Sequence, residues 1–273
     1  MARLKGGAEY GGLKHHSSRE QIERFSPEGV YMALYPWLRA GVSYVEDDFI
    51  EDTISTTRWN LAADGGASTF AWSVARNGTI QGDTGSVDDD AVAINGDSIW
   101  LGDQDAGMEV RFKLDVVTAF QLEIGFTDAL SDETLPAVTD IDTPATGNGA
   151  TDVAVLHLDT DQTLQTAELV GESTGSAFAA QKTASLLNGA GSAALWTPSA
   201  ANYYTVRVQL NGDHAFVKVF DTNDASKHIL KAEGGLRSLL DGGALVRPHC
   251  YFRTRNTTPK IVDIDYIRVW QNR

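Results

Sequence analysis

A chain of 273 residues with an apolar fraction of 42% can bury a sizeable core, in one large domain or two small ones. Its formal net charge of −15 argues against the clustered Lys and Arg that neutralise phosphates, so no nucleic-acid partner is expected. A single cysteine, Cys250, rules out an intrachain disulfide framework and a cysteine-rich metal site, and no stretch approaches the ~20 apolar residues of a membrane span.

Charge is unevenly spread. Residues 1–40 carry six basic and four acidic side chains, a balance of +2, which leaves −17 on the remainder. Residues 1–45 are therefore read as an N-terminal arm and 46–273 as a β domain. Gly6, Gly7, Gly11 and Gly12 make the start of the arm pliable. Ser17 with Glu20, or Ser18 with Gln21, spells a capping box for a helix of about two turns, ended by Ser26-Pro27. No apolar run follows the basic residues of MARLKGGAEYGG, so no secretory signal is expected and folding in a cytoplasm is. The stretch VYMALYPWL, Val30 to Leu38, is apolar and aromatic. It either straps its own domain or docks on a neighbouring subunit, in which case Tyr31, Leu34, Tyr35, Trp37 and Leu38 are the partner-binding residues.

From Val45 onward the pattern is short strands and turns. Candidate strands are Asp48–Glu51, Thr57–Leu61, Phe70–Ala75, Ala91–Ile94, Ser98–Leu101, Val153–Leu158, Thr163–Leu169, Tyr203–Leu210, His214–Phe220, His228–Leu230, Arg247–Arg253 and Ile261–Trp270. A central pair lies in Gly107–Asp128. Val110, Phe112 and Leu114 alternate with polar residues, then Phe120, Leu122, Ile124 and Phe126 do the same, so two adjacent antiparallel strands are expected. Their polar positions, Glu109, Arg111, Lys113, Gln121 and Glu123, read as a solvated sheet surface. Asn211-Gly212-Asp213 joins Tyr203–Leu210 to His214–Phe220 in a tight hairpin, with Tyr204, Val206, Val208, Leu210 and Phe216 turned inward. Two connections, Ser131–Thr151 and Gly171–Trp196, exceed the ~15 residues at which unstructured loops become unusual, and read as interaction surfaces.

No nucleophile–base arrangement and no phosphate-binding loop can be read from the order of residues, so no catalytic residue is assigned. Of the six tryptophans, Trp72, Trp100 and Trp270 belong to strands and are expected in the core, whereas Trp196, in a loop, is the candidate exposed platform for a sugar ring. Oxygen-rich clusters occur at Asp83 with Asp88, Asp89 and Asp90, at Asp140 with Asp142 and Asp152, and at Asp103 with Asp105. Calcium needs six to eight oxygens, and none of these loops follows the EF-hand pattern, so no cofactor is expected and calcium is the one ion to consider. Asp263 and Asp265 are expected to satisfy turn amides.

The closing run Asp265-Tyr266-Ile267-Arg268-Val269-Trp270 resembles the last strand of concanavalin A-like lectin/glucanase sandwiches. Asp47-Asp48-Phe49-Ile50 followed by Trp59, and the run from Phe120 to Asp128, are similar to the same group and to lectin-like domains of tailed-bacteriophage virion proteins. The resemblance covers about residues 47–271. It implies an all-β, antiparallel jelly-roll sandwich preceded by the extended arm. Enzymes of the group carry a Glu-x-Asp-x-(x)-Glu strand motif, and neither Glu123 to Asp128 nor Asp263 to Asp265 supplies three acids in that order, so a non-enzymatic protein is expected. The resemblance implies a virion structural protein, specifically a capsid decoration or cement protein. Its arm would bind the major capsid protein or other virion subunits, and the protein would self-associate. The alternative is an adhesin of a tail or fibre that binds a host glycan.

Overall fold

In a computed structural model, residues 9–10, 13–14, 42–49, 55–64, 68–73, 78–129, 135–140, 145–146, 150–161, 167–172, 182–185, 196, 198–224, 228–236 and 240–272 are described. In chain order the strands are β1 (Glu9–Tyr10), β2 (Leu13–Lys14), β3 (Val42–Asp47), β4 (Asn60–Ala63), β5 (Thr69–Ser73), β6 (Thr79–Asp83), β7 (Ala91–Asn95), β8 (Trp100–Leu101), β9 (Gly107–Leu114) and β10 (Phe120–Thr127). They continue with β11 (Val138–Asp140), β12 (Ala145–Thr146), β13 (Val153–Asp159), β14 (Glu168–Glu172), β15 (Lys182–Ser185), β16 (Tyr203–Asn211), β17 (His214–Asp221), β18 (Ile229–Leu236), β19 (Leu245–Thr254) and β20 (Ile261–Asn272).

Two antiparallel sheets make the domain. One runs β15-β14-β13-β10-β19-β7-β4, with β8 beside β19. The other runs β18-β17-β16-β9-β20-β6-β5, with β3 beside β20. The period-2 alternation explains why they stack: Phe120, Leu122, Ile124 and Phe126 of β10 all enter the same buried cluster as Met108, Val110, Phe112 and Leu114 of β9. Cys250 is 1% exposed in this core, and burial pushes its thiol well above the ordinary range, which makes it inert.

The two halves of Gly107–Asp128 are therefore strands, but not neighbours. Residues 115–119 carry the chain from one sheet to the other, because the apolar faces of β9 and β10 are buried most fully when they oppose each other across the core. The hairpin expected from Asn211-Gly212-Asp213 forms between β16 and β17: Asn211 pairs with His214, and Gly212 takes a φ of 61°. Phe216, expected inward, is 46% exposed. It pairs with Gln209 on the outer face, where its ring lies against Gly235, and Ala215, Val217 and Val219 fill the inner positions.

Other boundaries shift. Residues 42–45, assigned to the arm from sequence, belong to β3, which pairs with β20 from Asp47↔Ile267 to Val42↔Asn272. Asp48 and Phe49 lie outside any strand, and Glu9–Tyr10 with Leu13–Lys14 form a small ladder inside the expected arm. The expected helix at 17–26 and the anchor residues Tyr31, Leu34, Tyr35, Trp37 and Leu38 lie outside the described residues. Both long connections contain strands among their described residues, β11 and β12 in the first and β15 in the second. Strand β6 escapes the sequence pattern because Gly82 takes an inner position, where an added Cβ would come within 2.9 Å of Val92 of the opposite sheet.

Replacing Ile124 by Ala should lower the unfolding free energy by about 2–5 kcal/mol through the cavity it leaves, whereas Phe216→Ala should cost less than about 1 kcal/mol. Chemical denaturation of the two variants tests this, and equal losses would contradict the inner and outer assignments.

Candidate functional site

The outer face of the β10 sheet is the chemically richest part of the molecule. Register sets Glu123 beside His157 of β13 and Tyr251 of β19, and sets His249 beside Asn95 of β7. The expectation of a solvated surface is overturned here. Gln121, Glu123 and His157 are each 0% exposed, and His249 is 1% exposed.

The cover is a strap at residues 135–138, inside the first long connection. The backbone N–H groups of Ala137 and Val138 donate to the two Glu123 carboxylate oxygens at 2.7 and 3.0 Å. Gln121 Nε2 donates to the Val138 carbonyl at 3.0 Å and to Glu123 Oε1 at 3.2 Å. Below the strap, Ala129, Ala137, Val138, Ala150, Val153, Val155 and Val170 form a second apolar cluster, so the strap is held by burial as well as by hydrogen bonds. The signal in the sequence was the short apolar run Leu135-Pro136-Ala137-Val138 within an otherwise polar loop.

Burial alone would raise the Glu123 carboxyl. The His249 hydrogen bond and charge, His157 and the Val138 amide outweigh it and hold the carboxyl below the ordinary carboxylate range. His249 Nε2 lies 3.2 Å from Glu123 Oε2, and its Nδ1 lies 2.7 Å from Asn95 Oδ1. Burial lowers the pKa of His157, whose Nε2 lies 3.1 Å from Gln121 Nε2. Asp159, also on this face, is pushed up by burial, accepts from the Asp161 N–H at 2.9 Å and pairs with Arg255 at 3.2 Å. Glu123 is thus an ionised acceptor walled off from water, a poor proton donor near neutral pH.

The outer face of the β9 sheet carries ion pairs. Glu109, 2% exposed, accepts from Arg207 at 3.0 Å, from the Tyr266 hydroxyl at 2.8 Å and from Arg268 at 3.5 Å. Burial would raise its carboxyl, but the Arg207 charge and hydrogen bond, with Arg268 and Tyr266, hold it low. Asp263 and Asp265, expected at turn amides, instead pair with Lys113 at 2.7 Å and Arg111 at 2.5 Å, because they stand within β20 alongside β9. A register shift between Ile264 and Tyr266 makes Asp265 an extra residue and returns Ile267 and Val269 to the core.

Trp196, expected as an exposed platform, is 6% exposed and meets Tyr204 edge-on at 5.3 Å, so the structure places it in the core. Trp100 and Trp270 are buried as expected. Several aspartates of the oxygen-rich clusters cap turns: Asp83 accepts from Gly85 N–H at 2.9 Å, Asp90 from Val87 N–H at 3.0 Å and Asp152 from Asp241 N–H at 2.6 Å. Among the described residues no group of three or more His, Cys, Asp or Glu could hold a metal ion.

One end of the buried polar face stays open. A cavity of about 210 Å³ is lined by residues 56–60, 95–98 and Arg247, where the turn before β4 meets the end of β7 and the start of β19.

Both buried groups make the fold acid-sensitive. The folded pKa of Glu123 lies below its ordinary 4.5 and that of His157 below its ordinary 6.5, so each adds stability above those values and loses it as the pH falls toward the folded pKa. The urea midpoint should drop between pH 7 and pH 5, and His157→Gln should flatten that drop. A midpoint independent of pH over this range would show that His157 is not linked to folding; the Glu123 contribution is lost only below pH 4.5.

No protein-family model matches the chain, and no curated protein is similar to it in sequence. Solved structures are similar in fold. A protein of unknown function from Shewanella oneidensis MR-1 superposes with a TM-score of 0.55 at 13% identity, covering 97% of each chain. Peanut lectin gives 0.52 at 11% identity over 85% of this chain and 98% of its own. A pseudo β-1,3-glucanase of Mycobacterium tuberculosis gives 0.53 at 10% identity over 86% of this chain and 100% of its own. Two stacked antiparallel sheets with this likeness to lectins and a glucanase-like protein give the chain the concanavalin A-like jelly-roll fold.

Proposed function

We propose that this chain is a non-enzymatic structural protein of a tailed-bacteriophage virion, a capsid decoration or cement protein. Its arm binds the major capsid protein or other virion subunits, and the sandwich self-associates and projects its negative charge. The observation that carries the non-enzymatic reading is the closure over Glu123. A retaining or inverting glycosidase needs two carboxyl groups about 5–10 Å apart, open to a sugar and a water. Here the carboxylate of β10 is fully buried, and its two oxygens are taken by backbone amides and a histidine. The placement in a virion rests on the sequence resemblance of Asp47 to Ile50 with Trp59 and of the run from Phe120 to Asp128.

A second reading, a glycan-binding adhesin on a tail or fibre, is favoured by the open polar cavity beside Asn95. A host glycan is then the partner, and the sandwich rather than the arm does the binding.

Co-sedimentation with particles lacking this protein tests the first reading. Full-length protein should pellet with the particles, and full-length protein carrying Tyr35→Ser and Trp37→Ser should stay in the supernatant. Absence of pelleting by the unmodified protein would end the cement reading, and release of reducing sugar from a β-glucan would end the non-enzymatic one.

A further inference from the structure

Lys260, just before β20, is 2% exposed, an unusual place for an amine. Lys113, Lys218 and Lys231 each reach a carboxylate, at 2.7, 3.6 and 3.5 Å. Lys260 does not. An ammonium offers several donors, yet the described residues give Lys260 Nζ a single acceptor, the side-chain oxygen Asn256 Oδ1 at 3.2 Å. Burial pulls the ammonium below the ordinary lysine range, and the charge of Asp115 only opposes that pull. A desolvated amine that sheds its proton is a nucleophile.

The group it faces is set up as the electrophile. Asn256 Oδ1 also accepts from the Thr258 N–H at 2.9 Å and from the Thr254 hydroxyl at 3.3 Å. Donors gathered on one carbonyl oxygen draw density from its carbon and hold the negative charge that an attack creates. The turn that carries both side chains is clamped at each end. The Thr254 N–H donates to the Asp90 carbonyl at 3.0 Å, the Lys260 N–H to the Thr84 hydroxyl at 3.0 Å, and the Thr84 N–H to the Lys260 carbonyl at 3.1 Å. Pro259 stiffens the approach to Lys260. Fixed placement of this kind replaces a chance encounter between amine and amide. We propose that Asn256 and Lys260 join in an intramolecular amide bond, a covalent staple across the turn between β19 and β20. Nζ swings from the oxygen to the face of Cγ and bonds to it as the neutral amine. The bond from Cγ to the asparagine nitrogen breaks, a proton of Nζ passes to that nitrogen, and ammonia leaves. No oxidant or cofactor enters the balance. Because β19 and β20 belong to opposite sheets, the staple fastens the link between them.

Mass spectrometry of the full-length protein, after incubation at mildly alkaline pH, tests the bond. The intact protein should be lighter than its sequence by one ammonia. Trypsin, which needs an unmodified lysine, should fail to cleave after Lys260 and release the peptide Asn256–Arg268, also short of one ammonia. Lys260→Arg and Asn256→Ala should each keep the full mass of their own sequences. A full mass and cleavage after Lys260 in the unaltered protein would overturn the proposal, whether or not either variant folds. A loss of ammonia that persists in Lys260→Arg would assign it to cyclisation of an asparagine on its own backbone, and would overturn the staple as well.

Discussion

A carboxylate at the centre of a sheet face, shut off from water, is the constraint on which the functional face depends. Removing Glu123 from solvent carries a penalty of several kcal/mol unless its lone pairs are met. The amides of Ala137 and Val138, with His249 and Gln121, meet them. The strap can remain on the sheet because Val153, Val155 and Val170 give it an apolar seat. Charge and burial thus fix the same segment, and they decide which part of the face a ligand can reach: the middle is closed and the end beside Asn95 is open.

The opposite sheet solves the same problem in another way. Its outward carboxylates are paired across strands with guanidinium and ammonium groups, Glu109 with Arg207, Asp265 with Arg111 and Asp263 with Lys113. Such pairs need no covering loop, since each charge is answered within the sheet. The irregularity at Asp265 lets β20 supply ion-pairing side chains and still return Ile267 and Val269 to the core. One face is therefore a ladder of charges and the other a covered network with one open end.

The sequence was most informative where a single strand carried its own evidence. Alternation located β9, β10, β13, β16, β17, β19 and β20 to within a few residues, and Asn211-Gly212 located the one tight hairpin that could be read with its turn. It was least informative where the deciding partner was distant. Glu123 alternates with Leu122 and Ile124 just as a solvated residue would, and the amides that bury it lie 14 and 15 positions away. Trp196 looked like a loop aromatic because its partner, Tyr204, belongs to the following strand.

By itself, then, the chain determined an antiparallel β architecture, a net negative charge and the absence of an intrachain disulfide framework, since period, net charge and cysteine count are local or summed properties. Only the tertiary structure decided that β9 and β10 face each other across the core rather than pair, that the strap closes over Glu123, and that Asn95, Arg58 and Arg247 line one cavity. The physical reason is that strand alternation fixes which face a side chain takes, while long-range pairing and loop burial fix what that face meets.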